Sequence, residues 1–365
     1  MTLRKATRQP QELGTLSLYS ALDEMGNSGM TIDDARRKEA FLRTVEDGLA
    51  VSLASPSRLH GWRVQTMFAG VVLAIGGIRL LSFEDEGDYY FDDADGPAKA
   101  PDFRLVSTSG EHLLVEVKNV APEETTKPQT IQRAEFDGAL RYAEWTGASL
   151  AVAHYWSAMN LWTLVSADAL ERSGDAAILT IETAMPVSEL GLLGDKWLAT
   201  TPPLVLSLLA DTTQPRAVHE TPREQTASFT IGGVELSCAG RLIEDPTERE
   251  IATRLMFFGS WHPKQELRFD DSGEVEGLDY VFAPLEPAPE SQTFEMIGTL
   301  SSMYSAVYNL GTLSETGEVT ALRSEPEPGA LAELVPDDYW ARSDRSLPLW
   351  RFDLKPNADV AGGST

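Results

Sequence analysis

Residues 100–119 read APDFRLVSTSGEHLLVEVKN, and their alternation decides the fold of the first half of the chain. Leu113, Val115 and Val117 alternate with Leu114, Glu116 and Lys118. That is the period-2 pattern of a strand with two different faces. Phe103 and Leu105 alternate in the same way with Asp102 and Arg104. Ser107-Thr108-Ser109-Gly110 lies between the two runs and supplies turn chemistry. A three-residue loop over Thr108, Ser109 and Gly110 pairs Ser107 with Glu111 and, further along the ladder, sets Asp102 opposite Glu116. Directly paired side chains on one face have Cβ atoms roughly 4.5–5.5 Å apart. Lys118 lies on the same face, two residues beyond Glu116. Two carboxylates at such a spacing repel strongly at reduced dielectric. A divalent cation removes the repulsion, and carboxylate oxygens suit Mg²⁺.

Pro101-Asp102 followed by Glu116-Val117-Lys118 resembles the signature of the PD-(D/E)XK nuclease superfamily, over about residues 30–170. The resemblance implies an α/β restriction-endonuclease-like core, a mixed sheet flanked by helices. It also implies that Asp102 and Glu116 bind Mg²⁺ or Mn²⁺ together with the backbone carbonyl of Val117. Lys118 then helps activate water or stabilise charge. A glutamate of the first helix often joins the metal, which makes Glu46 a candidate. Gln65 stands where family members can carry Glu, a departure that would weaken metal binding. Gln132 and Tyr142, on the helix after the motif, match positions that face substrate in parts of the family. The expected activity is that of a metal-dependent endonuclease on nucleic acid, DNA before RNA, and the family also implies a role in defence against foreign DNA. The alternative is a non-catalytic scaffold or regulatory protein on the same fold.

A second match to the pattern, Pro336-Asp337 with Asp353-Leu354-Lys355, lacks strand alternation over residues 338–346. It also has no following helix and strand, so it is set aside.

With 365 residues the chain favours two domains. No run of 18 uncharged apolar residues appears, and the basic N-terminus lacks an apolar segment behind it, so neither a membrane span nor a secretory signal is expected. Cys238 is the only cysteine, which excludes a disulfide framework and fits a reducing cytoplasm. The five histidines are scattered without ligand spacing, which argues against a zinc hydrolase. A net charge of −26 opposes easy binding to phosphate backbones. The charge is uneven: 27 acids face 12 bases after residue 210, while residues 1–63 hold 8 acids and 9 bases. The N-terminal segment and local arginines are therefore the expected nucleic-acid contacts.

In chain order, residues 1–30 read as an arm and residues 31–210 as the nuclease-like domain. A polar, proline-containing linker at 211–225 precedes a C-terminal α+β domain at 226–365. Within the first domain, Thr31 is the expected N-cap of a helix over 33–54, residues 55–61 break it, and a second helix runs over 62–75. Strands are expected at 78–83, in the motif hairpin, and at 149–156 and 161–165, with a helix over 129–146. The acids of 84–95 read as a solvated hairpin tip, with a strand resuming at 89–91. In the second domain, Asp245-Pro246 opens a helix. The stripe Phe294, Ile297, Leu300, Met303, Tyr304 and Val307 predicts a helix over 291–310. No chemical motif is found there, so this domain is expected to bind a protein partner, make a homodimer contact, or sense a ligand.

Overall fold

The structure, a computed structural model, describes residues 3–5, 11–23, 29–84, 89–92, 94, 96–221, 224–286, 288–289, 291–324 and 327–357. Three helices come first: α1 (Gln11–Leu22), α2 (Ala35–Leu53) and α3 (Pro56–Ile75). The N-cap of α2 is Asp34 rather than Thr31, because the Asp34 carboxylate accepts from the Arg36 amide while Thr31 turns its hydroxyl to Asp33. The break before α3 shrinks to two residues, Ala54 and Ser55. Ser55 caps the helix and Pro56 occupies its first turn, where a missing N–H costs nothing. Val64, Met67, Phe68, Val71 and Val72 on α3 are fully buried, and residues on all its sides are buried, the pattern of a helix enclosed by the core.

A five-stranded mixed sheet follows. Its strands are β1 (Ile78–Phe83), β2 (Phe103–Ser107), β3 (His112–Val120), β5 (Ser149–Trp156) and β6 (Leu161–Ser166), adjacent in that order. Only β3 and β5 run parallel, joined through β4 (Gln129–Gln132) and helix α4 (Arg133–Thr146). Every other neighbouring pair is antiparallel. The hairpin register matches the expected one. Phe103 pairs with Val115, Val106 with His112, and the Ser107 amide donates to the Glu111 carbonyl at 2.9 Å. Gly110 closes the loop at φ +96°, where a side chain would be strained. One sheet face, with Leu113, Val115, Val117, Ala151 and Ala153, packs on α3. The other, with Leu114, Leu150, Val152 and Trp156, packs on α4 through Phe136, Ala139 and Ala143. The sheet is thus flanked by helices on both faces.

Residues 129–132 form a strand rather than the start of α4. They pair with β8 (Ala176–Leu179), which also pairs with β7 (Glu171–Ser173), a partnership invisible to local periodicity. Tyr89–Phe91 carries no strand, and residues 85–88, 93 and 95 of the acidic stretch lie outside the described residues.

The rest of the chain closes over the α3 side. After α5 (Ile181–Val187) come β9 (Trp197–Thr200), β10 (Leu204–Ala210), β11 (Ala217–Thr221), β12 (Glu224–Ser228), β13 (Ile231–Cys238) and β14 (Arg241–Leu242). Then follow α6 (Pro246–Phe258), β15 (His262–Phe269), β16 (Val275–Ala283), β17 (Glu295–Thr299), α7 (Leu300–Thr312) and β18 (Leu349–Phe352). A second sheet runs β14-β13-β10-β16-β15, and a third runs β17-β9-β18. Strands β9 and β10, before the expected linker, therefore pair with strands beyond it, and β11–β12 forms a hairpin across it. One buried apolar cluster joins α3 and the first sheet to Leu236, Leu255, Ile297 and Met303.

The stripe expected as one helix over 291–310 divides at Thr299. Residues 295–299 pair with β9, and Thr299 and Ser302 form a reciprocal capping box that starts α7. Helix α7 lies against α3. Buried Arg63 donates to Asn309 Oδ1 at 2.8 Å and Thr312 Oγ1 at 3.0 Å, so its charge meets the negative end of α7. At the α3–β1 corner, a Cβ on Gly77 would stand 1.8 Å from the Leu193 carbonyl oxygen, so only glycine fits. Among the described residues no helix is long and apolar enough to cross a membrane.

Candidate active site at the end of the β2–β3 hairpin

The Ser107–Glu111 pair is hydrogen-bonded, and bonded pairs in an antiparallel ladder recur every second residue. The next ones are Leu105–Leu113, Phe103–Val115 and then Pro101–Val117. Proline has no N–H, so the ladder fails there. The Val117 amide turns instead to the Asp102 carboxylate, donating to Oδ2 at 2.6 Å. Val117 N–H and C=O point to the same side of a strand, so the Val117 carbonyl also faces Asp102, with no Pro101 amide to bond. The Pro-Asp pair thereby does two things: it ends the ladder and puts a carboxylate at the gap. Gln65 of α3 donates to the other oxygen, Oδ1, at 2.5 Å.

Beside Asp102 stands an ion cluster. Lys118 Nζ lies 2.8 Å from Glu116 Oε1 and 3.0 Å from Glu135 Oε1. Lys99 Nζ lies 3.1 Å from the same Glu116 oxygen and also bonds Glu135 Oε1. Both contacts on Glu116 use Oε1, which leaves Oε2 for another ligand. Asp102 and Glu116 are each only 7% exposed. Burial disfavours both ammonium groups, but the paired carboxylates outweigh it and raise the pKa of Lys99 and of Lys118. Burial works to raise the pKa of Glu135, but the two lysines overcome it and hold the pKa down at about 2. Lys99, Lys118 and Glu135 therefore carry charge at neutral pH.

Next to Lys118 in the parallel register is His154, buried and stacked on Trp156. Burial first, and the Lys118 charge second, lower its pKa to about 4, and its Nδ1 has no hydrogen-bond partner among the described residues.

The structure joins Asp102 to the Val117 amide and Lys118 to Glu116 on the same strand. It does not bring Glu46 to them: Glu46 is exposed on α2, while Gln65 of α3 reaches Asp102. Which amphipathic helix lies against the sheet is a packing outcome, and neither helix announces it. Gln132 is exposed at the β4–α4 junction, with no bond to the group. Tyr142 donates instead to Glu84 Oε1 at 2.7 Å, and Glu84 also holds Arg104 through two bonds.

Two participants were missed by the sequence reading, Lys99 and Glu135. The available signals were weak: a lysine three residues before Asp102 in a chain with few lysines, and an acid in the first turn of α4.

Among the described residues no three His, Cys, Asp or Glu side chains gather into a metal cage. The donors on offer along this segment are oxygens: the Asp102 and Glu116 carboxylates, the Val117 carbonyl and, if its amide turns over, Gln65. This suits Mg²⁺, which keeps several waters and needs only one or two carboxylates, better than Zn²⁺ or Ca²⁺.

No protein-family profile matches the chain, and no curated protein matches it. Among solved structures, the Holliday junction resolvase Hjc of the archaeal hyperthermophile Archaeoglobus fulgidus is 18% identical. The match covers 27% of this chain and 74% of that one, with a TM-score of 0.22. At that score the likeness carries no argument about this chain.

Proposed function

We propose that the chain is a PD-(D/E)XK-type nuclease that hydrolyses phosphodiester bonds in nucleic acid, with DNA the first substrate to try. The reading rests on one observation: the Asp102 carboxylate replaces a lost ladder partner at Val117, beside a charged Glu116–Lys118 pair. Asp102, Glu116 and the Val117 carbonyl would hold Mg²⁺ or Mn²⁺, which when bound supplies a more acidic water and neutralises phosphate charge. Gln65 fixes the rotamer of Asp102. Lys118, kept protonated by Glu116 and Glu135, donates a hydrogen bond to the water or to a non-bridging phosphate oxygen as negative charge builds there. Water oxygen bonds to phosphorus and releases its proton to solvent, the P–O bond to the leaving sugar oxygen breaks, and that oxygen takes up a proton from solvent. Residues 31–210 supply this chemistry. We assign residues 226–365 a partner-binding or sensing role.

The charge count supports the scheme. Asp102, Glu116 and Glu135 against Lys99 and Lys118 leave one negative charge. A divalent cation makes the group positive by one, and a phosphodiester brings it to neutrality.

The test is incubation with plasmid, linear duplex, single-stranded DNA and RNA, each with Mg²⁺, Mn²⁺ or EDTA. Cleavage that depends on the metal and disappears in EDTA is the expected result. A second reading, a non-catalytic protein on the same fold, is favoured by Gln65 standing where a third carboxylate would strengthen the metal site. No cleavage of any substrate, with no heat of Mg²⁺ or Mn²⁺ binding by calorimetry, would select it.

A further inference from the structure

Three aromatic residues in a row, Tyr89, Tyr90 and Phe91, precede the strand that carries the site. Tyr89 is anchored. Its hydroxyl donates to the Ala98 carbonyl at 3.1 Å and accepts from the Ala100 amide at 3.2 Å. Those two residues flank Lys99, whose ammonium bonds Glu116, and Asp102 follows two residues later. The Tyr89 ring meets Tyr142 edge-on at 5.6 Å and Phe91 at 5.9 Å. The ledge is therefore tied to the candidate catalytic segment by two hydrogen bonds and to α4 by ring contact. Its outer surface is bare: Tyr90 is 99% exposed and Phe91 42%.

Arg141 flanks the same segment. Its guanidinium donates two bonds to the Pro97 carbonyl, one at 3.1 Å and one at 2.5 Å, and has no carboxylate partner among the described residues. No ion pair among the described residues neutralises its charge, unlike that of Arg104 on Glu84.

We propose that Tyr90 and Phe91 form a stacking ledge for unpaired nucleobases and that Arg141 holds the adjacent phosphate, so that the substrate is single-stranded or carries unpaired nucleotides. The proposal rests on the nuclease reading and adds the substrate class. Stacking on an aromatic face accepts any base and adds to each phosphate contact, whereas duplex binding draws on many neutralised phosphates. A chain with a net charge of −26 is poorly equipped for the second. Exposed rings near an arginine are the kind of arrangement that grips single strands.

The experiment uses the full chain and 12-nucleotide DNA and RNA oligonucleotides containing 2-aminopurine, with blunt duplex of the same sequence as control. Binding is read by anisotropy and stacking by fluorescence quenching, in EDTA and again in Ca²⁺. Single strands should bind at least about 10-fold more tightly than duplex, with quenching. Tyr90→Ala should weaken single-strand binding about 10- to 100-fold and remove the quenching, and Tyr90→Phe should restore both. Arg141→Gln, which keeps a donor for Pro97, should lower the slope of log K against log salt by about 0.7. The DNA and RNA arms tell which strand is preferred. Equal affinity for duplex, no binding to any oligonucleotide, or binding indifferent to Tyr90→Ala would each overturn the proposal, the last two leaving the exposed rings to a protein partner. Tyr90-dependent binding in a protein that cuts nothing would uphold the ledge and sink only the catalytic reading.

Discussion

The chain holds two copies of one short pattern, and they fold into different things. In the first, Pro101-Asp102 stands just before β2 and Glu116-Val117-Lys118 lies on its partner β3, with the Asp102 carboxylate bonded to the Val117 amide. In the second, Asp337 begins a short 3₁₀ turn, Asp337–Ala341, and is exposed. Asp353 lies just past the end of β18 and pairs with Lys196 at 2.6 Å, and Lys355 is exposed. The same letters at a similar interval thus give an enclosed charged group in one place and solvated side chains in the other. What separates them is the tight Ser107–Gly110 turn, which converts sequence spacing into cross-strand contact.

The sharpest way to break this contrast is by lysine removal. Lys118→Ala should reduce cleavage by roughly 10³-fold while circular dichroism stays unchanged, and Lys355→Ala should cleave like the parent. Substantial residual cleavage by the first variant would remove Lys118 from the chemistry.

The second contrast is one of burial. His154 beside Lys118 is held neutral, with a pKa near 4 against about 6.5 when unfolded. A depressed histidine pKa favours the neutral form in the folded state. Its contribution to stability is therefore full above pH 6.5 and lost as pH falls from 6.5 towards 4. The loss is at most about 3 kcal/mol. Urea midpoints measured across that range should fall in the parent and flatten in His154→Leu. An identical slope in both would mean that His154 charges freely. Lys355 is exposed beyond the end of β18 and belongs to no strand.

The third is hydrogen bonding. Asp102→Ala leaves the buried Val117 amide without its acceptor, which should cost about 1–3 kcal/mol in chemical denaturation. Asp337→Ala, at an exposed position, should stay within about 0.5 kcal/mol. Equal effects would erase the distinction between the two copies.

The hairpin was legible because every signal in it is local: alternation, turn residues and a glycine at positive φ. The pairing of Phe103 with Val115 followed from the turn alone. The helix supplying the neighbour of Asp102 was not legible, since α2 and α3 both carry a polar residue at a plausible place and packing selects Gln65. Strand β17 was hidden for a related reason. Phe294, Ile297 and Leu300 keep a three-residue spacing that mimics a helix, while the pairing of 295–299 with β9 joins segments almost a hundred residues apart. Gln129–Gln132 was misjudged likewise, since its partner β8 is remote in sequence. Lys99 reaches the site from a segment without regular structure, where no periodicity points a side chain anywhere.

The contact between α3 and α7 has a consequence for the order of events on the ribosome. Helix α3 ends at residue 75 and α7 begins at residue 300. At synthesis rates of roughly 5–20 residues per second, the later helix emerges about 10–45 s after the earlier one. Throughout that interval one flank of α3, including Arg63, has no Asn309 or Thr312 to meet. The helix that carries Gln65 gains its full support only when most of the polypeptide exists.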